Sequence, residues 1–545
     1  MVTRRKFLEA AGMGICAAPG AARAAQFIPP GMTTGFGAPE GAREISVGGE
    51  RQYFCDDFLL TTGSDVEEDI PHNIRFNVGR AIKDDAPVML PGVDAPWEKG
   101  HLYWLTVIHD GGRYRCWYNT TALGDANPKY PKDMKGHQRE WMMVSYAESE
   151  DGVNWRKPRL NLIELNGSRA NNICFLGDQE RWTEGPSVFI DPTAKPEELY
   201  KMIFRSRSSL RGAYSPDGLN WKLKHGIFAV RGIDTQNNAT YDPVLRRYVA
   251  YIRSDSLNYG GLDVGKHPVA PVHRGRAVAR IESPEFADYP FWTPPEIVLA
   301  PDMEDGLGMD FYNCPYSRYG NVHYMLFSPY DHWSGKLNIH VATSRDNRQW
   351  VRPTRATLVD NGSEPGSYDQ FRLYAGPGIL PAGKDHIAIY TRTGEGPHPH
   401  SVVKSWSPGP WKTWKGLPTG CMGRVRFGRD RIVGIEAGAE QGNFATREMV
   451  FQGRRLVVNA EPTGPDAELR VQLVTGERTQ FHREMRNPAP VAGRTFEECK
   501  PLTTDQMDGT VSWESGSELG EWSGKPVRLH FHLRSMRVYA FQFVS

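Results

Sequence analysis

Four acidic residues recur at one phase of a repeating pattern: Glu184 in Trp182-Thr-Glu-Gly, Asp234 in Gly232-Ile-Asp-Thr, Asp310 in Gly308-Met-Asp-Phe and Asp369 in Gly366-Ser-Tyr-Asp. Each stands just before or at the start of a strand-like run, and Glu98 with His101 takes the same phase earlier in the chain. In a radially repeated β fold such positions point into the axial funnel. Convergent carboxylates are what cleavage of a glycosidic bond needs, because one must stay protonated to donate to the leaving oxygen while another stays ionised as base or nucleophile. Crowding like charges in a partly buried funnel separates their pKa values and divides the roles. Glu184, beside Trp182 and Gly185-Pro186, is the expected general acid. Asp234 and Asp310 compete for base or nucleophile, with Asp369 as an orienting partner. Trp182, Tyr312 and Tyr368 offer aromatic faces to sugar rings, and Arg205 and Arg253, at the ends of strand-like runs, could bind an anionic sugar or form structural ion pairs. The plainer alternative is a carboxylate cluster that binds sugar or a cation, or caps loops, without turnover.

The elements that must position these residues are announced by a repeated turn. Ser149-Glu-Asp-Gly-Val-Asn-Trp155 returns as Ser215-Pro-Asp-Gly-Leu-Asn-Trp221 and as Ser344-Arg-Asp-Asn-Arg-Gln-Trp350, with a degenerate copy from Ser283 to Trp292. The tryptophans fall roughly 60 to 70 residues apart, the length of a four-stranded propeller blade with variable loops. Ser and Asp bond the local backbone, Gly or Asn accepts positive φ, and the Trp covers a seam between sheets. Short alternating runs around these turns predict five such units within residues 44–420: an all-β, five-bladed β-propeller. After Gly420 the strand-like runs continue without the turn, and residues 421–545 read as a β-sandwich.

Composition narrows the function classes. The chain has 545 residues and a formal net charge of +1, which leaves no basic footprint for nucleic acid or an anionic membrane. No internal apolar run approaches a membrane span. Phosphate loops, dinucleotide glycine fingerprints and Gly-x-Ser-x-Gly elbows are absent, and the histidines are too dispersed for a transition-metal site. No cofactor is expected, although a structural Ca²⁺ on the axis is left open. At the amino terminus Arg4-Arg5-Lys6-Phe7-Leu8, a modest apolar run and Ala22-Arg23-Ala24 read as a twin-arginine export signal over residues 1–24, predicting a periplasmic or extracellular protein. Six cysteines follow it, and an oxidising destination suggests one or two disulfides at most, with Cys116 and Cys174 as buried thiols.

The phrases His109-Asp-Gly-Gly-Arg-Tyr-Arg-Cys-Trp-Tyr118, Ser149-Glu-Asp-Gly-Val-Asn-Trp-Arg-Lys-Pro158 and Asn166-Gly-Ser-Arg-Ala-Asn-Asn172 carry a resemblance to the five-bladed glycosidase-like proteins related to glycoside hydrolase families 32 and 43. The resemblance covers roughly residues 50–545 as architecture and implies a carbohydrate substrate. It does not extend to the catalytic motifs. Trp-Met-Asn-Asp-Pro-Asn-Gly and Arg-Asp-Pro are absent, and the Glu498-Cys499 pair falls in the C-terminal region. The expectation is therefore an exported glycoside hydrolase-like protein, with a non-catalytic glycan-binding protein of the same fold as the alternative.

Overall fold

A computed structural model of the chain describes residues 45–61, 69–98, 102–122, 141–177, 182–206, 209–229, 233–254, 275–287, 291–306, 308–364, 366–394, 396–398, 401–402, 420–477 and 485–545. The amino-terminal segment 1–24, His101 and the Trp-rich stretch 403–419 lie outside them. The fold is all-β, with short 3-10 turns between strands. No helix among the described residues is long and apolar enough to cross a membrane.

Four-stranded antiparallel sheets form first. Leu105–Asp110, Arg113–Ala122, Trp141–Ser149 and Ile173–Phe175 pair in chain order. Glu184–Ile190, Tyr200–Ser206, Ser209–Ser215 and Lys222–Ala229 repeat the arrangement. Asn238–Asp242, Arg247–Ser254, Ala277–Ser283 and Glu296–Leu299 repeat it again. A fourth group is split between the pair Met309–Phe311 with Pro329–Asp331 and the trio Tyr316–Tyr319, Val322–Met325 and Ala342–Ser344. In the fifth sheet Arg372–Ala375, His386–Gly394 and Met422–Gly428 are followed at the outer edge by Ile82–Lys83. The first sheet packs on the second, the second on the third and the third on the fourth; Leu337 bridges the fourth group to Arg372, and the fifth sheet packs back on the first.

The repeated turn explains how neighbours lock. Asp151 Oδ1 accepts from the backbone of Val153 and Asn154, both at 2.8 Å, Ser149 Oγ accepts from Gly152 N at 2.9 Å, and Asp217 repeats the pattern. Gly152 and Gly218 take φ of +74° and +76°, and Asn347 fills the same position at +59°. The carbonyl thus presented accepts from an aromatic residue of the adjoining sheet. Gly218 O takes Trp117 Nε1–H (2.6 Å), Asn347 O takes Tyr251 O–H (3.2 Å) and Gly152 O takes Tyr390 O–H (2.8 Å). These bonds tie the second sheet to the first, the fourth to the third and the first to the fifth.

Two six-stranded sheets remain, and both draw on the two ends of the chain. Ile45–Gly48 pairs in parallel with Met449–Phe451, while Gln52–Tyr53 and Ile74–Val78 join the sheet of Met536–Val544 and Val433–Ala437. One core, with Ile45, Phe54, Phe444, Leu473, Trp513, Phe531 and Phe541, is shared by both sheets. The expected division at residue 420 therefore does not follow the pairing. The lead-in strands near 45–60 belong with the C-terminal sheets because Ile45 and Phe54 are buried there, and Met422–Gly428 belongs to the fifth sheet. Cys55, Cys116, Cys174, Cys314, Cys421 and Cys499 are all buried free thiols, so no disulfide joins the described cysteines, and Cys116 and Cys174 are the buried thiols of the first sheet.

Candidate functional site

Glu184 opens the inner strand of the second sheet, where the register breaks and sets it opposite Arg205. Gly185 makes this possible. It has a φ of +66°, and a Cβ there would stand 2.8 Å from Gln236 Cα. Its N–H donates to Asn119 Oδ1 at 2.7 Å, pinning the turn to the first sheet. Asp234 precedes the inner strand of the third sheet. The neighbouring Gln236 fixes that segment by donating from Nε2 to Leu105 O (2.9 Å) and Pro186 O (2.8 Å).

These two acids alternate with two arginines. Arg205 Nη1 donates to Glu184 Oε2 at 2.5 Å and to Asp234 Oδ1 at 3.1 Å, and Arg253 Nη1 donates to Asp234 Oδ2 at 2.5 Å. Trp182 Nε1–H adds a donor to Glu184 at 3.3 Å. Side-chain exposure is 15% for Glu184 and 44% for Asp234, and the protonation preferences divide accordingly. Burial raises the Glu184 pKa; Arg205 opposes this and the Asp234 charge adds to it, leaving the net shift upward. For Asp234 burial acts in the same sense, but Arg253 and Arg205 outweigh it and hold the carboxyl below its ordinary value.

Asp310 lies on the inner strand of the fourth group, 4% exposed at its side chain. Its Oδ2 is 2.8 Å from His332 Nε2, and its Oδ1 accepts from Arg276 N at 3.0 Å. The Arg276 guanidinium sits 4.4 Å from the centre of the Tyr312 ring and 5.5 Å from that of Tyr330. Tyr312 O–H lies 3.1 Å from His398 Nε2. Burial pushes the Tyr312 phenol up to about 12, and the charges of Asp234 and Arg253 both bear on it. Tyr312 thus belongs to the Asp310 group through Arg276 and His398. Trp333, next to His332, is 58% exposed beside them.

The remaining expected residues lie elsewhere. Glu98 is 5% exposed and bound by Tyr118 O–H (2.6 Å), Gly92 N (2.9 Å) and Lys157 Nζ (2.6 Å), a closed set that leaves it no free face. Tyr103 and Trp104 extend the inner strand of the first sheet through backbone bonds to Asn119, so Glu98 lies well ahead of its start. Asp369 pairs with Lys83 Nζ at 2.7 Å and Tyr368 O–H donates to Asp84 O at 3.0 Å. Both partners lie at the outer edge of the fifth sheet, because residues 366–371 form a turn ahead of the strand rather than its start. Arg205 and Arg253 are ion-paired, as the structural reading of them expected.

Arg276, His332, Tyr330, His398, Trp104, Tyr374 and Arg392 were not singled out from sequence. A signal existed for one of them. Arg205, Arg253 and Arg392 each precede a Ser or Thr on the second strands of the second, third and fifth sheets, in Phe204-Arg205-Ser206, Ile252-Arg253-Ser254 and Thr391-Arg392-Thr393. Among the described residues no group of three or more His, Cys, Asp or Glu side chains is arranged to hold a metal ion. Two surface clefts, of about 650 Å³ beside Arg494 and Trp522 and about 530 Å³ beside Glu148 and Trp155, are lined by none of the four acids.

No family model matches the chain. Two uncharacterized proteins of Mycobacterium tuberculosis are 30% identical over 120 residues, 21% of this chain, and the match spans about a third, 32%, of their length. Among solved structures the chain is similar to a glycoside hydrolase (12% identity, 63% of this chain and 92% of that one, TM-score 0.41). It is similar also to a glycosyl hydrolase from Bacteroides ovatus (13%, 65% and 96%, TM-score 0.41) and to the catalytic domain of a Coprinopsis cinerea GH62 α-L-arabinofuranosidase (12%, 64% and 97%, TM-score 0.39).

Proposed function

We propose that the chain is a glycoside hydrolase-like protein acting on a poly- or oligosaccharide, built as a five-bladed β-propeller with a β-sandwich made from both chain ends. The observation that carries the reading is the Glu184–Arg205–Asp234 ladder, in which two carboxyl groups sharing one guanidinium are pushed to opposite protonation preferences. Glu184, biased toward its protonated form, is the general acid that gives its proton to the leaving glycosidic oxygen. Asp310, aligned by His332 and Arg276, is the base or nucleophile. Asp234 stays ionised, fixes both arginines and offsets positive charge developing at the sugar ring. Trp182 and the exposed Trp333 supply ring faces for sugar contacts.

Export through the twin-arginine route to the periplasm or beyond belongs to the same reading, on the strength of Arg4-Arg5 and Ala22-Arg23-Ala24. Reducing-sugar release by the mature protein across a panel of plant and algal polysaccharides tests the activity, with Glu184→Gln as the control. Turnover that disappears in the variant while glycan binding persists supports the hydrolase. Glycan binding without release by the wild type replaces it with a binding protein.

A further inference from the structure

Resting on that reading, the site also holds a guanidinium that no acid among the described residues answers. In the second sheet Arg205 faces Glu184 across the strand pair; in the fifth, the equivalent register sets Arg392 opposite Tyr374. Arg392 is 9% exposed. Its Cζ lies 4.8 Å from the ring centre of Tyr374, 5.0 Å from that of Trp104 and 5.5 Å from that of Tyr103. Rings hold a guanidinium by its charge and leave its N–H donors unspent. The Arg392 Nε is buried and donates to no acceptor, and among the described residues no carboxylate is paired with this side chain. Trp104 and Tyr374 both pack against Tyr312, so Arg392 is one ring away from the Arg276–Asp310 group.

A buried cation without a counter-charge costs several kcal/mol, and aromatic contacts recover only part of it. Such a group persists where a ligand completes it. Among the described residues Arg205, Arg253, Arg276 and Arg392 set four guanidiniums against the three carboxyl groups of Glu184, Asp234 and Asp310, so the excess favours an anion.

We propose that Arg392, framed by Tyr103, Trp104 and Tyr374, is the subsite for the carboxylate of a uronic acid residue, and that the substrate is an acidic rather than a neutral polysaccharide. The planar fork of arginine matches a carboxylate with two parallel hydrogen bonds, and the surrounding rings pack on the sugar that bears it. Burial, with Arg372 beside it, holds the Arg392 pKa below the ordinary arginine value, a shift that a bound anion reverses.

The test is binding of glucuronate and galacturonate against glucose and galactose, by calorimetry and thermal shift on the mature protein, with inorganic phosphate as a separate arm. The same titrations on Glu184→Gln keep binding apart from turnover. The wild type should prefer the uronates by roughly 10- to 100-fold, the worth of charge-assisted hydrogen bonds. Arg392→Met should erase that preference without lowering the melting temperature, since it removes an unanswered buried charge. Arg392→Lys, which keeps the charge and the fold, should lose at least about tenfold because the fork is gone. Equal binding of uronates and neutral sugars by the wild type overturns the subsite, as does a preference that survives Arg392→Met. An Arg392-dependent response to phosphate with none to uronates overturns the sugar assignment. Hydrolysis of neutral glycans alone would remove this inference and leave the hydrolase standing.

Discussion

Replacing Arg205 by Met removes a guanidinium that bonds both Glu184 and Asp234. Asp234 keeps Arg253 at 2.5 Å and stays ionised, so the Glu184 carboxyl loses its counter-charge and still feels the neighbouring anion. Breaking a fully buried pair costs about 3–5 kcal/mol. Arg205 is 26% exposed and Glu184 15%, so solvent screening reduces this to about 1–2 kcal/mol at neutral pH. The sign with pH follows from linkage. The Glu184 pKa, already raised in the fold, rises further in the variant, so the folded state binds more protons than the unfolded one between the ordinary carboxyl range and the raised value. Stability is then lost as pH increases through that window. Urea denaturation of both proteins from about pH 4 to 8 should show a small difference at the acid end and the full loss at the alkaline end. The alkaline limb of the activity profile should move upward, since the acid keeps its proton longer. A destabilisation independent of pH, or one that grows toward acid, refutes the proposed division of protonation between Glu184 and Asp234.

Other outcomes follow from the same contacts. Gly185→Ala forces a side chain into positive φ and onto the Gln236 backbone, and should cost about 1–3 kcal/mol in thermal unfolding, with activity lost because Glu184 is re-aimed. Glu98→Gln leaves Lys157 buried without its partner and should cost about 3–5 kcal/mol in chemical denaturation, while kcat of the folded fraction is unchanged. Loss of kcat there would return Glu98 to the site. Arg4 and Arg5 replaced together by Lys should hold precursor in the cytoplasm, as cell fractionation will show; undiminished export would exclude the twin-arginine route.

The parts of the fold legible in the sequence were those with a local chemical cause. The Ser-x-Asp-Gly turn was readable because each of its hydrogen bonds falls within four residues, and Gly152, Gly218 and Asn347 all take the left-handed conformation that the residue types imply. Glu184 and Asp310 lie on the strands Glu184–Ile190 and Met309–Phe311, and Asp234 shortly precedes Asn238–Asp242, so their spacing from strand-like runs was legible. The spacing did not show that Lys157 and Tyr118 close off Glu98, or that Lys83 at the edge of the fifth sheet takes Asp369, because those partners come from distant parts of the chain. The pairing of Ile45 with Met449 spans most of the chain and has no local signature, so the domain division was misplaced. Arg276, just before Ala277–Ser283, and His332, just after Pro329–Asp331, meet Asp310 from separate segments, a convergence that only tertiary packing creates.

The central claim, that Glu184 protonates a glycosidic leaving group, is tested most directly by comparing Glu184→Gln with wild type on two glycosides of one sugar. One carries a natural sugar leaving group and the other dinitrophenol, which departs without a proton. The variant should lose about 10²- to 10⁴-fold on the first and retain nearly full rate on the second. Equal losses on both substrates, or no loss on either, would contradict the assignment.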